Sequence, residues 1–306
     1  MPMQWKGVIP ALTTKFNSDD KLDIALFKAN LSLQIDAGID GAIIGGSLGE
    51  ASTLLDEEKG QLTKLALEVS GEKIPIIVNI AEGSTSLAVR QAELASAWGA
   101  DGLMLLPPMR YKSDDRETVR FFKDVANSTD LPIMVYNNPV DYKIEVTIDM
   151  FAELMECGNI QAVKESTRNV SNVIRIRNRL GDRIKILCGV DTLAMEELLT
   201  GADGWVAGLV NAFPNETVAI YRLVKSGRLE EALAIYRWFM PILELDIHPK
   251  LVQYIKLAEQ LVGVGTETVR KPRLQLSGEE RTSVEQIVLE GIRSRPALPD
   301  YKSINI

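Results

Sequence analysis

Eight short runs of apolar and β-branched residues, each bounded by Gly, Pro or Asp, punctuate the chain. They are Gly7–Thr13, Gly41–Gly45, Ile74–Ile80, Gly102–Leu106, Pro132–Tyr136, Ile160–Ser166, Lys185–Gly189 and Gly204–Leu209. Stretches of helical period lie between them, with Leu26, Leu31, Leu33 and Ile35 in the first and Leu62, Leu65, Ala66 and Val69 in the second. A strand that is apolar throughout is buried on both faces, and its alternation with amphipathic helices means βα units and a parallel sheet. Eight such units predict an α/β fold of the closed (β/α)8 TIM barrel type. The rival, an open doubly wound sheet, normally carries a dinucleotide or phosphate turn after an early strand. No G-x-G-x-x-G follows the first run. Gly45-Gly46-Ser47-Leu48-Gly49 has a different spacing and follows the second.

A weak internal repeat supports the barrel. Ala37-Gly38-Ile39-Asp40-Gly41, Trp98-Gly99-Ala100-Asp101-Gly102 and Thr200-Gly201-Ala202-Asp203-Gly204 each end a helix and open a strand. The first Gly suits a left-handed helix cap, and the Asp-Gly pair suits the turn into the strand. After about Ser226 the alternation stops. Leu229–Leu245, Pro249–Val262 and Gly278–Ile292 read as helices with no strands between them. The expected organisation is a barrel over residues 1–226 and a C-terminal helical segment over 227–306. The last ten or so residues, around Pro296 and Pro299, read as the loosest part of the chain.

Composition excludes several classes of function. Of 306 residues, 34 are Lys or Arg and 42 are Asp or Glu, a net charge of −8. That argues against nucleic acid or an anionic membrane as partner. The start of the chain, Met1-Pro2-Met3-Gln4-Trp5-Lys6-Gly7, has no basic segment followed by an apolar one. No apolar run approaches the roughly 18 residues of a membrane span, so the expected location is the cytoplasm. Cys157 and Cys188 form no disulfide framework and read as small buried hydrophobes. His248 is the single histidine. It rules out a metal site with two His ligands and leaves one candidate for a Ser-His-Asp arrangement, so no metal is expected. The acidic run Asp56-Glu57-Glu58 reads as the solvated start of a helix.

In such a barrel the chemistry sits at the C-terminal ends of the strands. The sixth run ends Val163-Lys164-Glu165-Ser166, with Ala162, Lys164 and Ser166 on one face. A lysine in an apolar strand either reaches solvent or an acid from the strand end, or is a desolvated amine able to form a Schiff base. Most other lysines, such as Lys59, Lys64, Lys112 and Lys123, sit in polar helix or loop contexts. The fifth run ends Tyr136-Asn137-Asn138-Pro139, which places Tyr136 one strand from Lys164. Its phenol is either a satisfied core hydroxyl or a proton shuttle for an amine nucleophile. Gly45 to Glu50, after the second run, is a tight turn or an anion site built of backbone N–H groups with the Ser47 hydroxyl.

Together these segments resemble the dihydrodipicolinate synthase / N-acetylneuraminate lyase family from about Gly7 to the C-terminus. The matching marks are Gly46-Ser47-Leu48-Gly49-Glu50 (family G-S/T-T-G-E), Tyr136-Asn137-Asn138-Pro139 (Y-N-x-P) and Val163-Lys164-Glu165-Ser166 (K-E-A/S). Cys188-Gly189-Val190-Asp191 and Gly201-Ala202-Asp203-Gly204 fit the later G-x-D and G-A-x-G marks. The resemblance implies a (β/α)8 enzyme with a helical tail, metal-independent and homo-oligomeric (tetramer or dimer), that forms a Schiff base with a 2-oxo acid. It makes Lys164 the nucleophile and Tyr136 the proton shuttle. Gly46, Ser47 and Leu48 become the carboxylate site, with Asn138, Gly189 and Gly208 beside the substrate.

The departures are informative. The loop's second Thr is Leu48. A Tyr that completes a proton relay in the synthases falls on Arg110, with Tyr111 one step on. The Arg that holds the aldehyde's carboxylate in the synthases is Asp141 here. Both changes argue against dihydrodipicolinate synthesis; Arg110 is left as a carboxylate contact from another direction or as a solvated loop residue. The loop Gly-Ser-Leu-Gly-Glu, the segment Leu106 to Thr118 and Trp205 to Asn211 resemble a subgroup linked to hydroxyproline breakdown, similar to 1-pyrroline-4-hydroxy-2-carboxylate deaminase. The implied chemistry opens a cyclic imine carboxylate on Lys164, expels the 4-hydroxyl as water, and releases ammonia and 2-oxoglutarate semialdehyde. The lysine is the electron sink, so no cofactor is expected. The alternatives are a pyruvate-dependent lyase or synthase, either dihydrodipicolinate synthase or a 2-keto-3-deoxy sugar acid aldolase, and a non-catalytic 2-oxo-acid sensor.

Overall fold

The computed structural model describes residues 3–306; Met1 and Pro2, where the reading of the chain start begins, lie outside them. Each of the eight runs forms a parallel strand. In chain order the elements are β1 (Gly7–Pro10), α1 (Ile24–Ala37), β2 (Ala42–Ile44), α2 (Asp56–Ser70), β3 (Ile76–Ile80), α3 (Thr85–Trp98), β4 (Gly102–Leu105), α4 (Asp115–Ala126) and β5 (Ile133–Asn137). They continue with α5 (Pro139–Tyr142), α6 (Ile148–Leu154), β6 (Ile160–Glu165), α7 (Ser171–Leu180), β7 (Lys185–Cys188), α8 (Ala194–Leu199), β8 (Gly204–Ala207) and α9 (Pro214–Lys225). The strands run in the order β1-β8-β7-β6-β5-β4-β3-β2. The ring closes through a parallel bridge between Ala11 and Ile43, where the Leu12 N–H donates to the Ile43 carbonyl at 3.0 Å. The chain is a (β/α)8 barrel. Most runs lose a residue or more at their C-terminal end, where the backbone leaves the ladder for the loops that line the barrel mouth.

The repeated Asp-Gly pair does more than turn the chain. Asp40, Asp101 and Asp203 each precede a strand and accept a backbone N–H from the strand before it. The donors are Val8, Ile76 and Ile186, at 2.9, 2.8 and 2.8 Å. The amides of the same three aspartates donate back to the carbonyls of those residues. Each Asp thus pins two neighbouring strands in register at the bottom of the barrel. Gly38 and Gly99 take the left-handed cap.

One slip in register aligns β5 and β6, the strands that carry Tyr136 and Lys164. Ile133 pairs with Ile160, but Met134 pairs with Ala162, so Gln161 is an extra residue on β6. A bulge of this kind moves every later side chain of one strand relative to the other. Beyond it Tyr136 stands directly beside Lys164.

Three helices come after the barrel: α10 (Leu229–Leu243), α11 (Leu251–Val262) and α12 (Gly278–Arg293), with a short 3-10 turn at Glu244–Ile247. This tail is locked to the barrel by buried charge. Lys256 of α11 pairs with Glu50 at 2.5 Å and Lys15 pairs with Glu259 at 2.6 Å, all four side chains being buried. Arg270 grips Glu58 with two bonds of 2.7 and 2.8 Å. Asp56–Glu58 therefore opens α2 as expected, but Glu58 is held by Arg270 instead of being solvated. The C-terminal residues are also anchored: Tyr301 is buried and its hydroxyl bonds Asn215 Oδ1 at 2.7 Å. No helix among the described residues is long and apolar enough to cross a membrane.

Candidate active site

The strands β5 and β6 place Tyr136 and Lys164 on the inner face at the C-terminal end of the barrel. Both are 7 % exposed. The Lys164 Nζ lies 4.1 Å from the centroid of the Tyr136 ring. No carboxylate comes within 4.0 Å of that amine among the described residues. Burial pulls the Lys164 amine below the usual lysine pKa, against the opposing pull of Tyr142, Asp246 and Asp191. Two glycines make the room. A Cβ at Gly189 would lie 2.7 Å from the Lys164 side chain and 2.2 Å from the Ser166 Oγ, and one at Gly208 would lie 2.3 Å from the Asp246 Oδ1.

The phenol of Tyr136 is set by its neighbours on the same turn. The Asn138 amide donates to its oxygen at 3.2 Å and to Asp141 at 2.7 Å. With one lone pair of the phenol occupied by a donor, its own O–H is free to point into the cavity. Burial pushes the Tyr136 hydroxyl up to about 12, so it keeps its proton at neutral pH.

Facing this pair, the loop after β2 turns tightly. Gly45 takes φ +67° and Glu50 φ +57°. The Ser47 and Leu48 amides have no protein acceptor among the described residues, whereas those of Glu50 and Ala51 close the turn onto Ser47 and Gly46. Two free N–H groups at a tight turn suit an anion. Glu50, locked to Lys256 and the Arg270 amide, holds the loop from behind. The Ser47 Oγ is bonded to the Tyr142 hydroxyl at 2.5 Å, and the Tyr142 ring packs edge-on against Tyr136 at 5.5 Å.

These groups enclose a cavity of about 80 Å³. Of the residues singled out from sequence, Gly46, Ser47, Leu48, Tyr136, Asn138, Asp141, Lys164, Gly189 and Gly208 line it. Arg110 and Tyr111 do not. Arg110 is exposed and packs its stem over Gly83 in the β3–α3 loop, and Tyr111 is 56 % exposed. His248 stacks on Tyr254, away from this lining. The reading of Lys59 as a lysine in a polar context needs correction. Lys15, Lys59 and Lys256 are buried as well, and what distinguishes Lys164 is the missing counter-charge.

Sequence reasoning missed Tyr142, Arg168 and Asp246, all of which line the cavity. Tyr142 stands on the one-turn helix α5 that follows Asn138-Pro139, and the Asn-Pro start was its available signal. Asp246 comes from the 3-10 turn of the tail, outside the barrel whose strand ends point to the chemistry. Among the described residues no group of three or more His, Cys, Asp or Glu side chains is arranged to hold a metal ion.

A parallel barrel with an unpaired buried lysine at its mouth defines a class of Schiff-base enzymes. The chain matches the dihydrodipicolinate synthetase family over residues 4–290 and belongs to it. It is a lysine Schiff-base lyase of that family, aldolase-type in its chemistry. It is 31 % identical over 276 residues to the 4-hydroxy-tetrahydrodipicolinate synthase of Exiguobacterium sibiricum, covering 89 % of this chain and 93 % of the relative. It is 32 % identical over 276 residues to an uncharacterized DapA-like lyase of Rhizobium meliloti, covering 88 % and 90 %. The crystal structure of dihydrodipicolinate synthase from Aquifex aeolicus superposes with a TM-score of 0.88 at 28 % identity, covering 94 % of this chain and 98 % of the other.

Proposed function

We propose that the chain is a deaminase and dehydratase of cyclic imine carboxylates, acting on 1-pyrroline-4-hydroxy-2-carboxylate or a close analogue to give 2-oxoglutarate semialdehyde and ammonia. Lys164 is the nucleophile. Its amine attacks C2, and ring opening frees the ring nitrogen as a primary amine. The Ser47 and Leu48 amides hold the substrate carboxylate. Tyr136 moves the protons of carbinolamine formation and collapse, and the Ser47–Tyr142 hydroxyl pair lies beside it. The lysine imine supplies the electron sink.

The observation that carries the choice of substrate is Asp141 at the cavity wall, held there by the Asn138 amide. A carboxylate there disfavours a second carboxylate at the far end of the substrate and favours a neutral or ammonium end. A second reading, a pyruvate-dependent aldolase or synthase, has one feature in its favour. Arg168 lines the cavity mouth, exposed and without an ion-pair partner among the described residues. It is placed to take a distal carboxylate. A panel of cyclic imines, 4-hydroxy-2-oxo acids and pyruvate with aldehydes, assayed for ammonia and for carbon-bond products, separates the two. Ammonia release from the hydroxylated imine is the expected result, and carbon-bond products alone would refute it. We propose further that the molecule works as a homo-oligomer, with the barrel and the helical tail as its two parts.

A further inference from the structure

The structure points to a catalytic residue outside the barrel. We propose that Asp246, carried by the helical tail, exchanges a proton with the oxygen on C4 of a substrate bound to Lys164. This deepens the proposed dehydration and rests on it for the natural substrate.

Four observations lead there. Asp246 lines the same cavity as Lys164 and Tyr136. It sits on the 3-10 turn Glu244–Ile247, against the end of β8, where Gly208 leaves space that a Cβ would fill to within 2.3 Å of its Oδ1. In the ring of strands that is the β7–β8 side of the lysine, whereas Tyr136 stands on the β5 side. Second, its carboxyl is uncommitted. It has no ion pair and no side-chain donor among the described residues, and the one donor directed at it is the Asp191 amide. The neighbouring Asp191 carboxylate is the opposite case: the Trp205 indole and the Gly208 and Leu209 amides all donate to it, at 2.8 to 3.2 Å. Asp191 is a structural post, and Asp246 is free for a ligand. Third, the groups that face Asp246 are Asp191, Lys164, Asp141 and Tyr136. Burial and the Asp191 charge push its carboxyl well above the usual range, against the pull of Lys164. A carboxyl so placed holds a proton to give. Fourth, none of the hydroxyls on the β5 and β2 side, those of Tyr136, Ser47 and Tyr142, comes from the wall that Asp246 occupies.

The step balances without any further reagent. A C3 proton passes to solvent at the cavity mouth, which turns the lysine imine into an enamine. The enamine nitrogen lone pair re-forms the C2=N bond, and the C2=C3 pair moves to C3=C4. The C4–O bond breaks with its electrons on oxygen, which takes the Asp246 proton and leaves as water. Asp246 is left as carboxylate and is reprotonated from solvent through the cavity mouth. In the reverse sense, the carboxylate can remove the C4 hydroxyl proton as a C3–C4 bond breaks in aldol cleavage.

The test compares Asp246→Asn, which keeps the shape and loses the proton, with the parent enzyme. Borohydride trapping of pyruvate on Lys164 and exchange of the pyruvate methyl protons in deuterium oxide need no C4 oxygen. Both should stay within about twofold of the parent. Ammonia release from the 4-hydroxy cyclic imine should fall about 10²–10⁴-fold, the usual value of a positioned acid. Equal ammonia release by the two proteins overturns the proposal. So does loss of trapping in Asp246→Asn, which would make Asp246 a positioning residue for the lysine. If the parent releases no ammonia, the functional reading fails by itself, and cleavage of 4-hydroxy-2-oxo acids decides the role of Asp246. A rate lost in Asp246→Asn supports it. Equal cleavage, or no reaction at C4 in either protein, overturns it.

Discussion

Lys256 and Lys164 are buried within one molecule under opposite arrangements. In the clamp between tail and barrel, Lys256 meets Glu50 at 2.5 Å and Lys15 meets Glu259 at 2.6 Å. At the barrel mouth Lys164 has the Tyr136 ring at 4.1 Å and, among the described residues, no carboxylate in contact. Burial lowers the pKa of all three amines. In the clamp the acid restores the charge and the pair acts as a fastener. At the mouth the amine is left able to lose its proton, and it shares a cavity with phenols and a free carboxyl. Depth of burial does not make a nucleophile; the withheld partner does.

The largest effect that would break this contrast is at Lys164 itself. Lys164→Ala should abolish turnover and the borohydride adduct with pyruvate, with mass added to no other lysine peptide. In the parent, adduct formation should fall as pH drops through the lowered lysine pKa, because the ammonium has no lone pair. Labelling of Lys256 or Lys15 by peptide mass analysis would erase the distinction. Next, Tyr136→Phe should retain slow adduct formation and lose about 10²–10⁴-fold in turnover, the range of a proton shuttle. Single-turnover trapping kinetics check this.

On the clamp side, Lys256→Met removes the close partner of buried Glu50 and leaves it the Arg270 amide and the more distant Arg273 guanidinium at 3.8 Å. Loss of one partner of such a pair costs about 3–5 kcal/mol. The denaturation midpoint should fall accordingly, and Lys256→Met with Glu50→Gln should recover most of the loss. The last test sharpens the rule on the acid side. Glu197 is buried with neither oxygen bonded, and burial, with Glu165 nearby, pushes its carboxyl up to about 8. An unfolded glutamate ionises near pH 4.5. Between pH 4.5 and 8 the unfolded chain therefore releases a proton that the folded one keeps, and stability declines across that window. Glu197→Gln should melt higher than the parent at pH 8 and equally at pH 4, as thermal scans at the two values would register.

The barrel was legible because its signal is local and repeated: eight apolar runs, and an Asp-Gly pair at three strand entrances. The place of Lys164 and Tyr136 on adjacent strands was legible for the same reason. Their side-by-side register was not, since it depends on the bulge at Gln161, and no alternation pattern announces which strand carries an extra residue. The lysine distinction was hidden too. Tyr254-Ile255-Lys256-Leu257 is as apolar a setting as Ala162-Val163-Lys164, and only the fold reveals that Glu50, 206 positions away, neutralises one of them. Asp246 and Tyr142 were missed because their positions follow from how a short turn lands on the barrel. Arg110 and Tyr111 were drawn in by their neighbourhood in sequence, and the β4–α4 loop holds them outside the cavity lining.

The aspartates beneath the strands have a consequence for how such an enzyme changes over time. Asp40, Asp101 and Asp203 fix strand register from the face opposite the chemistry. Mouth loops can then be exchanged without disturbing the scaffold that holds the lysine in place. Separation of scaffold from specificity lets mutation explore new substrates while foldability is preserved. It also marks the loops after β2, β5 and β8, and the turn at Glu244–Ile247, as the places to vary when the enzyme is adapted to another substrate.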